Sequence, residues 1–133
     1  MNPGMELFGW LLTTLRKSYP GIVFDTILPP DKTPYPFIYL QSPFEIEDFR
    51  MKGAYFGQTE ISIDVWHSDP KQRGTVDSLL FAIRQLARGL DKTKSYSWCL
   101  SECSLEYRPD TSTSQPLFRG TLSLSFKHYR RKN

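Results

Sequence analysis

Few side chains in this chain could carry chemistry. The histidines are His67 and His128 and the cysteines are Cys99 and Cys103. Acid-base or nucleophilic catalysis needs an imidazole, thiol or carboxylate held beside a second group that activates it. His67 stands before a turn and His128 in a basic terminal segment, so both read as exposed or locally hydrogen-bonded. Cys99 and Cys103 lack the second ligand pair that a structural zinc requires. A β-bulge inferred between them would turn one inward and one outward, and they read as small buried hydrophobes. There is no phosphate-cradling G-x-x-x-x-G-K-[ST], no G-x-G-x-x-G after a strand, no G-x-S-x-G and no H-E-x-x-H. No catalytic residue, metal ligand or cofactor is assigned, and the chain is expected not to be an enzyme.

The remaining dense group of ionisable residues is Glu45, Glu47 and Asp48, followed directly by Arg50 and Lys52. Paired carboxylates do acid-base work when burial separates their pKa values, and a segment this polar is not expected to bury them. The acid-then-base order suits pairing with a displaced second copy of the chain, or a plain solvated loop. Phe44, Phe49, Tyr55 and Phe56 alternate with these charges without the periodicity of a core element. Aromatics are costly in water and rare in disordered segments, which favours partner contact. The candidate assembly interface is therefore Phe44, Glu45, Glu47, Asp48, Phe49, Arg50, Lys52, Tyr55 and Phe56.

The elements that position this segment can be read from periodicity. Leu7, Phe8, Leu11, Leu12, Leu15 and Tyr19 recur at helical spacing over about Met5 to Tyr19, and Pro20-Gly21 stops that helix. Ile22 to Leu28 is apolar and β-branched enough for a strand, and the proline-rich stretch from Pro29 to Pro36 is a stiff connector. Phe37 to Gln41 is a second strand, and the segment from about 44 to 57 is expected to be a long irregular loop. Thr59 to Trp66 alternates, with Ile61, Ile63 and Val65 on one face and Ser62 and Asp64 on the other. Ser68 or Asp69 is expected to cap a second helix with Pro70 in its first turn. Its apolar stripe is Val76, Leu79, Leu80, Ile83, Leu86, Ala87 and Leu90, ending near Gly89. Trp98 to Tyr107 reads as a strand whose inward parity slips between Leu100 and Cys103, as a bulge produces. Pro109 to Pro116 is a polar turn, and Leu117 to Tyr129 is the last strand. The fold class is α+β, order α-β-β-β-α-β-β, a mainly antiparallel sheet with both helices on one face.

Length and charge narrow the role. The 133 residues are expected to form a single domain, 1–133. The composition, 39% hydrophobic and 23% charged, is that of a folded soluble chain. No apolar run suits a membrane span, no signal peptide is expected, and two cysteines suggest a reducing compartment. Four of the 17 basic residues (Lys127, Arg130, Arg131 and Lys132) lie in the tail at 127–133, leaving 13 against 14 acidic residues. A nearly neutral body argues against a broad nucleic-acid-binding face. The tail reads as a solvated terminus or as a secondary contact through Arg130, Arg131 and Lys132.

The whole-chain pattern resembles the small tail-completion or tail-terminator proteins of long-tailed bacteriophages. The resemblance rests on the order of elements, the approach Pro34-Tyr-Pro-Phe-Ile-Tyr-Leu40, and the strand Glu60-Ile-Ser-Ile-Asp-Val-Trp66, with a helix beginning about ten residues later. It implies a non-enzymatic virion protein, assembled in the host cytoplasm, that forms a homo-oligomeric, hexameric ring at the head-proximal end of the tail tube from subunits that are monomeric before assembly. Its partners would be other copies of itself, the major tail tube protein and the head connector protein. DNA would pass through the lumen without sequence recognition, and no membrane or cofactor would be involved. The competing reading is a small RNA- or protein-binding module of ferredoxin-like shape. An RNA-binding sheet would need exposed aromatics ringed by basic residues, whereas the strands here are expected to expose Ser62, Asp64, Ser123 and Ser125.

Overall fold

The computed structural model describes residues 1–25, 33–49, 56–110 and 117–131. Helix α1, Pro3–Ser18, opens on a proline, which has no amide to leave unpaired in a first turn. It stops before Pro20 and Gly21, where the glycine takes a φ of 83° that other residues rarely adopt. Six strands follow the expected class: β1 (Val23–Phe24), β2 (Phe37–Leu40), β3 (Phe44–Asp48), β4 (Phe56–His67), β5 (Tyr96–Asp110) and β6 (Leu117–Arg130). Helix α2, Arg73–Arg88, lies between β4 and β5.

The sheet runs β1-β2-β4-β6-β5, with β3 also paired to β4. The β1–β2 pair is parallel and the others are antiparallel. β2 and β3 lie end to end along one edge of β4: Phe37 to Leu40 run beside Trp66 to Ile63, and Phe44 to Asp48 beside Glu60 to Phe56. Ser42 and Pro43 interrupt what would otherwise be one long strand.

One face of this sheet carries both helices. Ile61, Ile63 and Val65 of β4 and Leu122, Leu124 and Phe126 of β6 meet Leu7, Leu11 and Leu15 of α1 and Val76, Leu80, Ile83 and Ala87 of α2 in a single buried cluster. These are the stripes that the periodicity picks out, with Leu79 and Leu86 at their half-buried margin. α2 comes close to β6 at Gly120, where an added Cβ would sit 2.5 Å from Leu80 Cδ1 and 2.8 Å from Val76 Cγ1. Glycine there sets the depth of the helix.

The structure corrects several sequence expectations. The segment expected as an irregular loop holds strand β3 at Phe44–Asp48. Its Phe-Glu-Ile-Glu alternation has the period of a strand, and the signal is masked because its apolar side chains are exposed. Neither Ser68 nor Asp69 caps α2. The Asp69 carboxylate accepts the Lys71 amide at 2.9 Å and its carbonyl the Gln72 amide at 3.0 Å, closing a turn ahead of the helix, and Gln72 is the N-cap residue. Pro70 thus lies in that turn and not in the first helical turn. The β5 bulge falls between Leu100 and Glu102, as the parity slip indicated. It turns Cys103 toward the helix side and Cys99 to the other face, yet both cysteines are exposed, on a strand at the edge of the sheet.

Candidate assembly surface

The register fixes what each face of the β3 end presents. Residues opposite one another across antiparallel strands share a face. Phe44 lies opposite Glu60, which lies opposite Ser125; Ile46 lies opposite Gln58 and then Lys127; Asp48 lies opposite Phe56 and then Tyr129. All of these point away from the helices, since the neighbouring residues Thr59, Ile61 and Phe126 point toward them. On that outer face Phe44 is 61% exposed, Ile46 56% and Tyr129 61%, and Phe49, just past β3, is 80% exposed. Phe56 is half-buried between them. Phe44 and Ile46 of β3 and Tyr129 of β6, with β4 between them, put three large apolar side chains of one sheet face in contact with water.

Glu45 and Glu47 point the other way. Glu45 lies opposite Thr59 on the helix side, and its Oε2 accepts the Gly4 amide at 2.7 Å. Asn2, the N-cap residue of α1, makes no side-chain cap bond, so a carboxylate from β3 occupies the amide end of the helix instead. Glu6, one turn on, accepts the Ser95 amide at 2.9 Å. Burial pushes its carboxyl up, but hydrogen bonds from the Ser95 amide and from Thr93 and Ser95 side chains outweigh this and hold it below the usual carboxylate range. The first turn of α1 is thus tied to β3 on one side and to the start of β5 on the other.

His128 completes this corner. It is 2% exposed, its Nδ1 lies 3.1 Å from Thr59 Oγ1, and the rings of Tyr96 and Trp98 flank it. Burial lowers its pKa, and the negative charge of Glu45 pulls in the opposite direction. The imidazole is a packed core group, hydrogen-bonded to a threonine hydroxyl that is itself fully buried. His67 accepts the Asp69 amide at 3.0 Å, a local turn bond. Among the described residues no cluster of His, Cys, Asp or Glu could hold a metal ion.

The sequence-derived interface is therefore divided by the fold. Phe44, Asp48 and Phe56 lie on the outer face and Phe49 beside it, whereas Glu45 and Glu47 are on the helix side, with Glu47 opposite Gly57. Gly57 lets β3 approach β4 here, because a Cβ would overlap the Ile46 carbonyl oxygen. Arg50, Lys52 and Tyr55 lie outside the described residues, as does Lys132. Arg130 ends β6, exposed. Arg131 is not a loose tail residue: its amide donates to the Ser95 carbonyl at 2.8 Å and its guanidinium to the Thr93 carbonyl at 3.0 Å. Ile46 and Tyr129 belong to the surface but were not singled out from sequence. Each sits in an alternating run whose buried face is set only by tertiary pairing.

The middle of the outer face is polar and largely satisfied by itself, and at its far end Phe37 stacks on Trp66 with the Arg119 guanidinium 5.1 Å from the Trp66 ring centroid. Asp64, 3% exposed, accepts Gln41 Nε2 at 2.9 Å and Thr121 Oγ1 at 2.6 Å. Ser62 and Ser123 face each other at 3.1 Å, and Gln58 donates to Ser125. Asp64 and Ser125, expected to be exposed, are buried in this cross-strand network.

No protein-family model matches the chain. No curated protein matches it either. Among solved structures, it is similar to a chain of the "Virion of native gene transfer agent (GTA) particle", with a TM-score of 0.60 and 12% sequence identity, over 94% of this chain and 92% of that one. The fold is shared across nearly the whole of both chains. No helix among the described residues is long and apolar enough to cross a membrane.

Proposed function

We propose that this chain is a virion structural protein that forms a ring at the head-proximal end of a phage tail tube, ends tube growth and joins the tail to the head connector. The observation that carries this reading is the near end-to-end fold shared with a chain of a gene transfer agent virion. The exposed Phe44, Ile46 and Tyr129 give such a protein an apolar surface to bury against a neighbour. Subunits in a closed ring meet through two different surfaces, so this patch would be one side of a heterologous contact. The partners are then further copies of the chain, the tail tube protein and the connector, with DNA passing through the lumen without base recognition.

The test is genetic and visual. Particles made without this protein should separate into filled heads and unjoined, overlong tails, and the wild-type chain should restore joined virions. Normal virions in its absence would refute the proposal. An RNA-binding reading has two features in its favour, Lys127 in the same cross-strand row as the exposed Ile46 and Arg119 over the Trp66 ring of the outer face. Glu60 on the same face, with Glu102 and Glu106 of β5, opposes it by repelling phosphate.

A further inference from the structure

β5 is the far edge of the sheet, and only its beginning is covered. Trp98 N–H donates to the Asp91 carbonyl and the Tyr96 carbonyl accepts the Thr93 amide, so Tyr96 and Trp98 aim their backbone groups outward at that short bridge. Beyond it, Ser101 to Pro109 are all exposed and have no partner strand on that side among the described residues. The β6 register against β4 is unbroken, so its even-numbered residues keep their backbone groups turned toward β4. Cys103, Leu105, Tyr107 and Pro109 lie opposite those residues, and hence offer their own backbone groups outward. Pro109, with no N–H, is at an outward position where it costs the sheet nothing.

We infer that this edge pairs with itself, β5 against β5 of a second copy, antiparallel about a twofold axis at Leu105. The side-chain order carries the choice. β5 sets Glu102, Ser104, Glu106 and Arg108 on the outer face and Cys103, Leu105 and Tyr107 on the helix face. Folding the strand back on a copy about Leu105 places Glu102 opposite Arg108 of the second copy twice, Leu105 opposite Leu105, and Cys103 opposite Tyr107. Arg108 already holds Glu106 at 2.7 Å through Nε, so each end of the contact becomes an acid-base-acid row. Neighbouring registers are worse. An axis at Ser104 opposes Glu102 to Glu106, an axis at Glu106 opposes that residue to itself, and an axis at Tyr107 shortens the ladder and strands Glu102. Pairing with the β3 edge in the same sense would instead set Glu102 and Glu106 on the face that carries Phe44, Ile46 and Asp48, with no basic residue of β3 to meet them. The inference does not rest on the ring proposal, because its contact is twofold and on a different edge.

Crosslinking tests the register directly. In a chain carrying Cys99→Ser and Cys103→Ser, Leu105→Cys should form an intermolecular disulfide under mild oxidation, since directly opposed residues lie about 5.5 Å apart at Cα, within disulfide range. Glu106→Cys in the same background lies roughly 8 Å from its own copy and should crosslink at least about tenfold more slowly. Sedimentation equilibrium of the native chain should show a monomer-dimer equilibrium. Arg108→Glu alone should weaken it about tenfold, and Glu102→Arg with Arg108→Glu should restore it to within about threefold of wild type. These side chains are exposed, so folding should be unaffected, as circular dichroism would verify. A chain monomeric at all concentrations, equal crosslinking at both positions, or a charge-swapped double variant no tighter than the single one would overturn the inference.

Discussion

Gly120→Ala tests how α2 is seated. The new methyl would lie 2.5 Å from Leu80 Cδ1 and 2.8 Å from Val76 Cγ1, closer than carbon atoms approach without displacement. α2 must lift or Leu80 must leave its rotamer, at a cost of about 1 to 3 kcal/mol. Leu80→Ala alone, at a fully buried position, leaves a cavity worth about 2 to 5 kcal/mol. In the double variant the methyl at 120 enters space that Leu80 has vacated, leaving only the Val76 contact to relieve. The two losses should then sum to about 0.5 to 3 kcal/mol less than additivity predicts. Urea melts of the four proteins give this coupling, and thermal melts should show a shift of about 2 to 8 °C for each kcal/mol. Strict additivity, or a Gly120→Ala protein as stable as wild type, would mean that α2 does not rest on β6 at this point.

Other expectations follow from the same corner of the fold and from its exposed patch. His128 has a lowered pKa when folded, so between that value and the ordinary 6.5 the unfolded chain binds more protons; the stability it contributes is complete above about 6.5 and declines as pH falls toward the folded value. Urea midpoints measured from pH 7 to pH 5 should fall, and His128→Gln should flatten the slope; a flat wild-type profile would contradict the buried neutral imidazole. Glu45→Ala should cost about 0.5 to 2 kcal/mol through loss of the cap on α1, read as a lower urea midpoint, whereas Glu47→Ala should cost less. For the same reason, inter-subunit charge pairing is tested by reversing Arg50 and Lys52 to Glu and then restoring with Glu47→Lys, leaving Glu45 in place. Phe44→Ser with Ile46→Ser should leave the melting temperature within about 2 °C, because both are exposed, while abolishing assembly onto tail tubes.

The core was legible in the sequence because it is periodic. The stripes of α1 and α2 and the Ile61-Ile63-Val65 face are patterns that burial alone imposes, and even the β5 bulge showed as a parity slip between Leu100 and Cys103. The candidate surface was legible only in part. Phe44 and Phe49 stood out as apolar residues without a core period, but β3 was hidden because an edge strand with its apolar side in water inverts the usual pattern. Glu45 could not be assigned to the α1 cap from sequence, since Gly4 is 41 positions away and the contact exists only once β3 has paired with β4. Cys99 and Cys103 were expected to be buried, and their exposure reflects the position of β5 at the sheet edge, a property of strand order that no local pattern encodes.

A ring at one end of a tail tube is tested most directly by imaging it there. Purified tail tubes mixed with the protein and examined by electron microscopy should carry a single ring of density at one end only, and tubes grown in its presence should stop lengthening. Protein bound along the tube wall, bound equally at both ends, or absent from tubes that continue to grow would contradict the account.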